Sequence, residues 1–306
     1  MALTEKEKQY WMEILETTNN NREEMFALRT VPDEYMAYME KVIRSEEMID
    51  VPLIGIPVKC YISMAENRCP GCTVYIHIHG GGFHYPWTED DALFCAKIAH
   101  ETKGIVVDVD YALTPKHSFP VPVEQVYEVA RWTAGRCAEW NADSEKIAIG
   151  GCSAGGNIAA SVCLLAEQRG GIKFCLQILD CAALDNATPP EYKPEADLLM
   201  MPSERMNAFA ALYVGGDKES AYSPFISPSF APDNMLESQP PALIITAGKC
   251  SLRFEDELYG KRLAALGVEV TMKRFSNSRH AFTVRMMDEW QEAHEVIIRR
   301  LKMLNL

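Results

Sequence analysis

No stretch of this 306-residue chain approaches the run of about eighteen apolar residues that a membrane-spanning helix needs. The amino-terminal segment MALTEKEKQYWMEILE is charged and amphipathic, without the apolar core of a secretion signal. Positive charge is also scarce: 30 Lys and Arg against 43 Asp and Glu leave a net charge of −13. That balance argues against a nucleic-acid partner, which asks for a basic face. A second CxxC to complete a zinc site with Cys69-Pro-Gly-Cys72 is missing, and Pro-Gly between two strand-like runs is a turn signal in its own right. Internal repeats and low-complexity tracts are missing too.

What is present is the composition of an ordinary soluble globular protein, 48% hydrophobic and 24% charged. The length suffices for a large core, either one big α/β domain or a core with a lid. Ten cysteines without a secretion signal suit reduced thiols in a cytoplasm better than a disulfide framework.

Residues 4 to about 47 read as helices, with Trp11, Ile14 and Leu15 and then Met36, Met39 and Val42 at helical spacing. From about residue 48 the period changes. Short β-rich runs (IPVKCYI, TVYIHIH, GIVVDVDY, KIAIGG, FCLQILD, ALIITAG, VEVTMKRF) alternate with helical stretches (DALFCAKIAHE, VEQVYEVARWTAG, AGGNIAASVCLLAEQ, FEDELYGKRLAALG). Several runs are apolar throughout, which implies a mostly parallel central sheet flanked by helices. Residues 186–216, rich in proline, methionine and charge, interrupt the alternation. Insertions after strand ends sit over the ligand crevice of such a sheet. The expected organisation is therefore an α/β core of 48–185 and 217–306 with a helical cap, made by the 186–216 insertion and the helices of 1–47.

Three segments carry chemistry. Gly151-Cys152-Ser153-Ala154-Gly155 fits G-x-S-x-G between the strand KIAIG and the helix AGGNIAASVCLL, the context in which a serine sits on a sharp turn with its hydroxyl exposed. The amide after the serine, at the helix start, then points at a developing oxyanion. His79-Gly80-Gly81-Gly82-Phe83 directly follows TVYIHIH, and glycines let backbone amides approach a ligand unobstructed. Ser278-Arg279-His280-Ala281-Phe282 follows the last strand and supplies a base in the chain order serine, acid, histidine. Of the remaining histidines, His77 and His79 read as supports for strand and loop, and His84 as a pocket residue. Phe83, Tyr85 and Trp87 are pocket-wall candidates because they follow the glycine loop; core packing accounts for them equally well.

Read together, HGGGF at 79–83, DYALTPKHSFP at 110–120, CSAGGN at 152–157, SPFISP at 223–228, PPALIITAG at 240–248 and HAF at 280–282 resemble the hormone-sensitive-lipase-like branch of the α/β-hydrolases. The resemblance spans residues 74–306 and implies the α/β-hydrolase fold and carboxylesterase chemistry with no metal or cofactor. It implies that Ser153 attacks, that His280 is the base, and that Gly81, Gly82 and Ala154 donate the oxyanion-hole amides. Two positions depart from the family pattern. Cys152 stands where an aspartate usually precedes the serine, and Cys250 stands where the family has its triad aspartate.

The acid normally holds the histidine in the right tautomer and stabilises the imidazolium. A thiol with its ordinary pKa near 8.5 is a weak substitute at neutral pH. Either no acid is present, or Asp180 or Asp185 serves from the neighbouring strand end, or Glu255 or Asp256 from the following helix start. A further alternative is a cluster of Cys152, Cys181 and Cys250 near His280 that binds metal or responds to oxidation, against simple packing of small apolar thiols. The expected function is a cytoplasmic serine carboxylesterase for small, short-acyl esters, with neither nucleic acid nor membrane as partner; a homodimer is left open. Its rival is a hydrolase-fold protein that binds a small molecule with little turnover.

Overall fold

The apolar runs of the sequence become one continuous sheet, seen in a computed structural model that describes residues 2–19, 31–194 and 201–305. In chain order the elements are α1 (Glu5–Thr17), α2 (Asp33–Met36), β1 (Val42–Ile49), β2 (Val58–Ala65), β3 (Cys72–Ile78), α3 (Glu89–Thr102), β4 (Ile105–Asp110), α4 (Val121–Trp140), β5 (Ala142–Cys152), α5 (Ala154–Arg169), β6 (Leu176–Asp180), α6 (Ser203–Val214), α7 (Asp233–Leu236), β7 (Ala242–Lys249), α8 (Arg253–Ala265), β8 (Val270–Arg279) and α9 (Trp290–Met303). The eight strands run in the order β1-β2-β4-β3-β5-β6-β7-β8. β1 and β2 are antiparallel to their neighbours, and from β4 to β8 every pairing is parallel.

Strand composition follows from burial on both faces. Along β3, Val74, Ile76 and Ile78 face the core under α4, α5 and α8, while Tyr75 faces the core under α3 and α9. β7 divides in the same way, Ile244 to one side and Leu243 and Ile245 to the other. A strand buried twice has no polar face to alternate with, so its sequence reads as an unbroken apolar run. The Cys69–Cys72 segment is the expected turn, closed by the Cys72 amide on the Cys69 carbonyl at 3.1 Å.

The amino-terminal region departs from the all-helical expectation. Val42–Ile49 is an edge strand paired with β2 from Val42↔Ala65 to Ile49↔Val58. Its helical spacing was overridden by a partner that lies beyond any local window. Residues 33–40 pack beside α3 and α9, away from any cap: the Tyr35 hydroxyl lies 3.2 Å from His294 Nδ1, and the Tyr38 hydroxyl donates to Glu101 at 2.7 Å. Among the described residues of this region, α1 is the element that joins the insertion. It starts on a capping box between Thr4 and Glu7, and its Leu15 packs with Ala208 and Leu212 of α6. The Leu3 amide bonds the Gly215 carbonyl at 3.0 Å, so α1 and α6 form one roof. Residues 195–200 of the expected insertion lie outside the described residues. Among the described residues no helix is long and apolar enough to cross a membrane.

Candidate active site

Ser153 occupies the turn between β5 and α5 with φ +59° and ψ −117°, a backbone conformation that L-residues avoid. Its amide bonds the Asp180 carbonyl at 2.9 Å and its carbonyl accepts from Ala183 at 3.1 Å, so the ends of β5 and β6 hold the strain together. The turn is possible because Gly155 has no Cβ, which would lie 2.0 Å from the Ile78 carbonyl oxygen. Asn157, one turn into α5, donates to the carbonyls of Ala183 and Ile226 at 2.7 and 2.9 Å, tying the SPFISP segment beneath the elbow.

The glycine loop lies over this turn. Gly81 and Gly82 both have positive φ, +109° and +60°. Among the described residues neither amide is engaged by another protein group, and Ala154, as the first residue of α5, has an amide with no acceptor inside its helix. The His79 ring supports the loop from behind, stacked on Tyr111 with centroids 4.2 Å apart, while His77 Nε2 lies 3.5 Å from Asp91. From above, a Cβ on Gly82 would meet the Phe209 ring at 2.4 Å, so α6 touches the loop directly.

His280 Nε2 lies 3.0 Å from Ser153 Oγ, and on the opposite edge of the ring Nδ1 lies 3.1 Å from Cys250 Sγ. Sulfur thus stands where an acid orients the base. The Cys181 thiol, through its hydrogen bond, is the largest influence on Cys250 and draws its pKa well below the ordinary thiol value; burial opposes this, and the imidazole and the Leu252 amide at 3.4 Å reinforce it. Burial disfavours the imidazolium of His280, yet the charge and hydrogen bond of Cys250 outweigh it and hold the His280 pKa above its ordinary value. Cys181 moves the other way, well above an ordinary thiol, through its bond to Cys250 and its burial.

None of the carboxylates considered for this role hydrogen-bonds the His280 ring, although Asp180 Oδ1 and Asp256 Oδ2 are buried without a partner among the described residues. Asp180 accepts a very short bond from the Thr283 hydroxyl, and burial pushes its pKa up to about 6. It influences His280 through space but does not bond the ring, so the sequence expectation of Asp180 as orienting acid gives way to Cys250. Asp185 caps the amides of Ala187 and Thr188 at 3.0 and 2.8 Å. Glu255 pairs with Lys193 at 2.7 Å, and Asp256 accepts from the Ala182 amide at 3.0 Å. Thr283, three residues beyond His280, was overlooked in the sequence although its position in HAFT placed it on the same loop.

Ser153, His280, Gly81 and Gly82 open on a cavity of about 1240 Å³ roofed by α1 and α6. Phe83 and Tyr85 line it, Phe83 also stacking on Tyr213 with centroids 3.6 Å apart. His84 and Trp87 do not. His84 turns its Nδ1 to the Thr114 carbonyl at 3.0 Å, and Trp87 donates to Asp108 at 2.6 Å while stacking on Tyr61. Both point into the scaffold because polar partners there satisfy their ring nitrogens. The roof contributes Trp11, Phe209 and Arg205, which no sequence motif announced. Arg205 is buried, packs against the Tyr85 and Phe209 rings, and donates to the Tyr85 hydroxyl at 2.9 Å. The single basic residue of the helix SERMNAFAALYV was the available signal.

A serine hydroxyl within hydrogen-bond distance of an imidazole, beside backbone amides without a protein acceptor among the described residues, is an arrangement suited to acyl transfer. Residues 75–284 match the sequence family described by the α/β-hydrolase fold. A carboxylesterase of Mycobacterium tuberculosis, NlhH, is 31% identical over 75% of this chain and 72% of its own length. An arylesterase of Saccharolobus solfataricus is 29% identical over 74% of this chain and 72% of its own. Among solved structures, a hyperthermophilic esterase of the archaeon Pyrobaculum calidifontis superposes with a TM-score of 0.80 at 27% identity, covering 100% of this chain and 99% of the other.

Proposed function

The chain belongs to the α/β-hydrolase family, in its hormone-sensitive-lipase-like branch, and from that premise we propose that it hydrolyses carboxylic esters through an acyl-enzyme on Ser153. The observation that carries this reading is the 3.0 Å approach of His280 Nε2 to a strained Ser153 hydroxyl. Ser153 Oγ attacks the ester carbonyl as its proton passes to Nε2. The amides of Gly81, Gly82 and Ala154 receive the oxyanion. Nε2 returns the proton to the departing alcohol, and water repeats the sequence on the acyl-enzyme to release the acid.

This cycle needs a lone pair on Nε2, hence a proton on Nδ1. If the Cys250 thiol donated to Nδ1, the ring would carry its proton on Nε2 and offer Ser153 no base. The productive state therefore has the Cys250 sulfur accepting from Nδ1–H, with thiolate character favoured first by the Cys181 thiol and further by the imidazole and the Leu252 amide. The sulfur takes over the two tasks of the aspartate, fixing the tautomer and stabilising the imidazolium, as a weaker and more diffuse acceptor.

The substrates this reading favours are small esters whose acyl and alcohol arms fit beneath Trp11, Tyr85 and Phe209. Its ten cysteines, all free, suit a reducing cytoplasm. Sulfur at the acid position also favours one rival, a pocket kept for binding with little turnover. A fluorophosphonate probe and a short p-nitrophenyl ester separate the two. The esterase reading requires a stable adduct on Ser153 and a rate that collapses in Ser153→Ala; equal rates in both proteins would leave only the binding role.

A further inference from the structure

Two thiols and an imidazole meet at the back of this site. The sulfurs of Cys181 and Cys250 and a ring nitrogen of His280 all lie within 4.8 Å of one another. Cys181 follows β6 with φ +46°, a left-handed conformation unusual for a residue with a side chain, and its amide is fixed on the Ile245 carbonyl at 2.8 Å. Cys250 follows β7, the neighbouring parallel strand, and its amide bonds the Ala247 carbonyl at 3.1 Å. Both thiols are free and buried, so adjacent strand ends present two sulfurs to the same side of one ring.

We propose that Cys181, Cys250 and His280 form a binding site for a soft divalent cation, Zn²⁺ foremost, and that the ion switches the hydrolase off. The donor set is two sulfurs and one imidazole, which selects zinc and its softer analogues over magnesium or calcium. Asp180 accepts from the Thr283 hydroxyl through Oδ2, and its buried Oδ1 has no hydrogen-bond partner among the described residues. In a tetrahedral zinc site a sulfur and a nitrogen stand about 3.5 Å apart, from bond lengths near 2.3 and 2.0 Å. Cys250 Sγ and His280 Nδ1, at 3.1 Å, need to open by only a fraction of an ångström.

Binding exchanges protons for metal: both sulfurs coordinate as thiolates, and the protons of any thiol still protonated leave to solvent. The ion occupies the lone pair of Nδ1. A neutral imidazole then carries its proton on Nε2, facing Ser153 Oγ, and has nothing with which to accept the serine's proton. The cation is thus an inhibitor acting through the tautomer of the base, not a cofactor. Cys152, grouped with these thiols on sequence grounds, stays apart with its sulfur toward Asp180. The inhibitory consequence rests on the esterase reading; the binding itself does not.

The test uses the full chain, reduced and stripped with a chelator. Titration with Co²⁺ is expected to give thiolate-to-cobalt charge-transfer absorption that saturates at one ion per chain and is bleached by Zn²⁺. Cys181→Ala and Cys250→Ala are each expected to abolish that absorption and weaken Zn²⁺ binding by more than about 100-fold, beyond the usual range of outer-shell effects. Circular dichroism of the metal-free variants establishes that they are folded, and Cys95→Ala, in the separate His77–Cys95–Asp108 group, is expected to leave the absorption intact. In the same titration Zn²⁺ should suppress ester hydrolysis and fluorophosphonate labelling, both restored by chelator. Absence of the charge-transfer band in the parent protein, or its persistence in both folded cysteine variants, overturns the site. A saturated site with undiminished labelling overturns the switch. An inactive protein that still shows the band refutes the esterase reading alone.

Discussion

Cys250 Sγ and His280 Nδ1 face each other at 3.1 Å, on the edge of the imidazole opposite the one that meets Ser153. A sulfur at that place is a weaker acceptor than a carboxylate but sits where the base needs a partner. Replacing it should therefore change turnover more than binding. In metal-free protein, Cys250→Asp is expected to raise kcat by at least about 10-fold, the ceiling being the factor of about 10⁴ that the aspartate is worth elsewhere. Cys250→Ala should lower kcat, with KM little altered in either. Steady-state kinetics on a short p-nitrophenyl ester read both, and a Cys250→Asp enzyme no faster than the parent would refute the orienting role.

The pH profile supplies an independent check. Cys250, Asp180 and Arg285 are the charged or titratable groups acting on His280, and the net effect raises its pKa. A protonated ring cannot accept the serine's proton, so the acid limb of kcat/KM should have its midpoint above the ordinary imidazole value near 6.5. Without Cys250 the largest remaining influence is burial, which acts downward. The acid limb of Cys250→Ala should accordingly shift to lower pH while its plateau falls. An unmoved limb would mean that the sulfur does not set the titration of the base.

Asp180→Asn separates a through-space influence from an orienting bond. The amide oxygen can still accept from Thr283, so the loop keeps its anchor. The variant is expected to retain kcat within about 10-fold at its optimum, far less than the loss of about 10⁴ for a true triad acid. A loss of that larger size would return Asp180 to the centre of the mechanism.

Gly81→Ala tests the oxyanion loop. A Cβ there would lie 2.7 Å from the Tyr85 carbonyl oxygen, at a φ of +109° that alanine avoids. The loop must shift, and an amide displaced from the developing charge costs on the order of 10²–10³ in kcat. The readout is kcat alongside near-UV circular dichroism, which should stay close to the parent's because the site is local. An unimpaired kcat in this variant would remove the loop from the chemistry.

Arg205→Met tests how the roof is held. Arg205 reaches the Leu15 carbonyl and Thr18 hydroxyl at 3.4 Å, Asn19 at 3.3 Å and the Tyr85 hydroxyl at 2.9 Å. Removing a buried donor from several acceptors should cost about 1–3 kcal/mol in urea unfolding. Limited proteolysis should then cut near α1 sooner, and KM should rise as the cavity loses its lid. Unchanged protection of α1 would show that apolar packing with α6 suffices.

The parts of this site that were legible in the sequence are local. The elbow and the glycine loop depend on small residues at fixed spacing beside a strand, and the fully apolar runs announced a sheet buried on both faces. Cys250 was visible as a departure at a known position. What joined it to Cys181 was the neighbouring of β6 and β7, a long-range pairing. The same limit hid β1, whose partner lies beyond a helical window, and the roof, where Leu15 meets Leu212 across most of the chain. Trp87 looked like a pocket wall because it follows the loop. Only the fold shows Asp108 and Tyr61 waiting on the other side.

Phe209 rests against Gly82, so a roof residue that faces the ligand also braces an amide assigned to the oxyanion. Selectivity and rate therefore share a mechanical joint in this protein. A substitution in α6 that admits a bulkier ester also loosens the backbone beneath the ring. Transplanting a roof from a relative would consequently carry over part of that relative's turnover along with its preferences, and redesign of the pocket has to treat α6 and residues 79–83 as one unit.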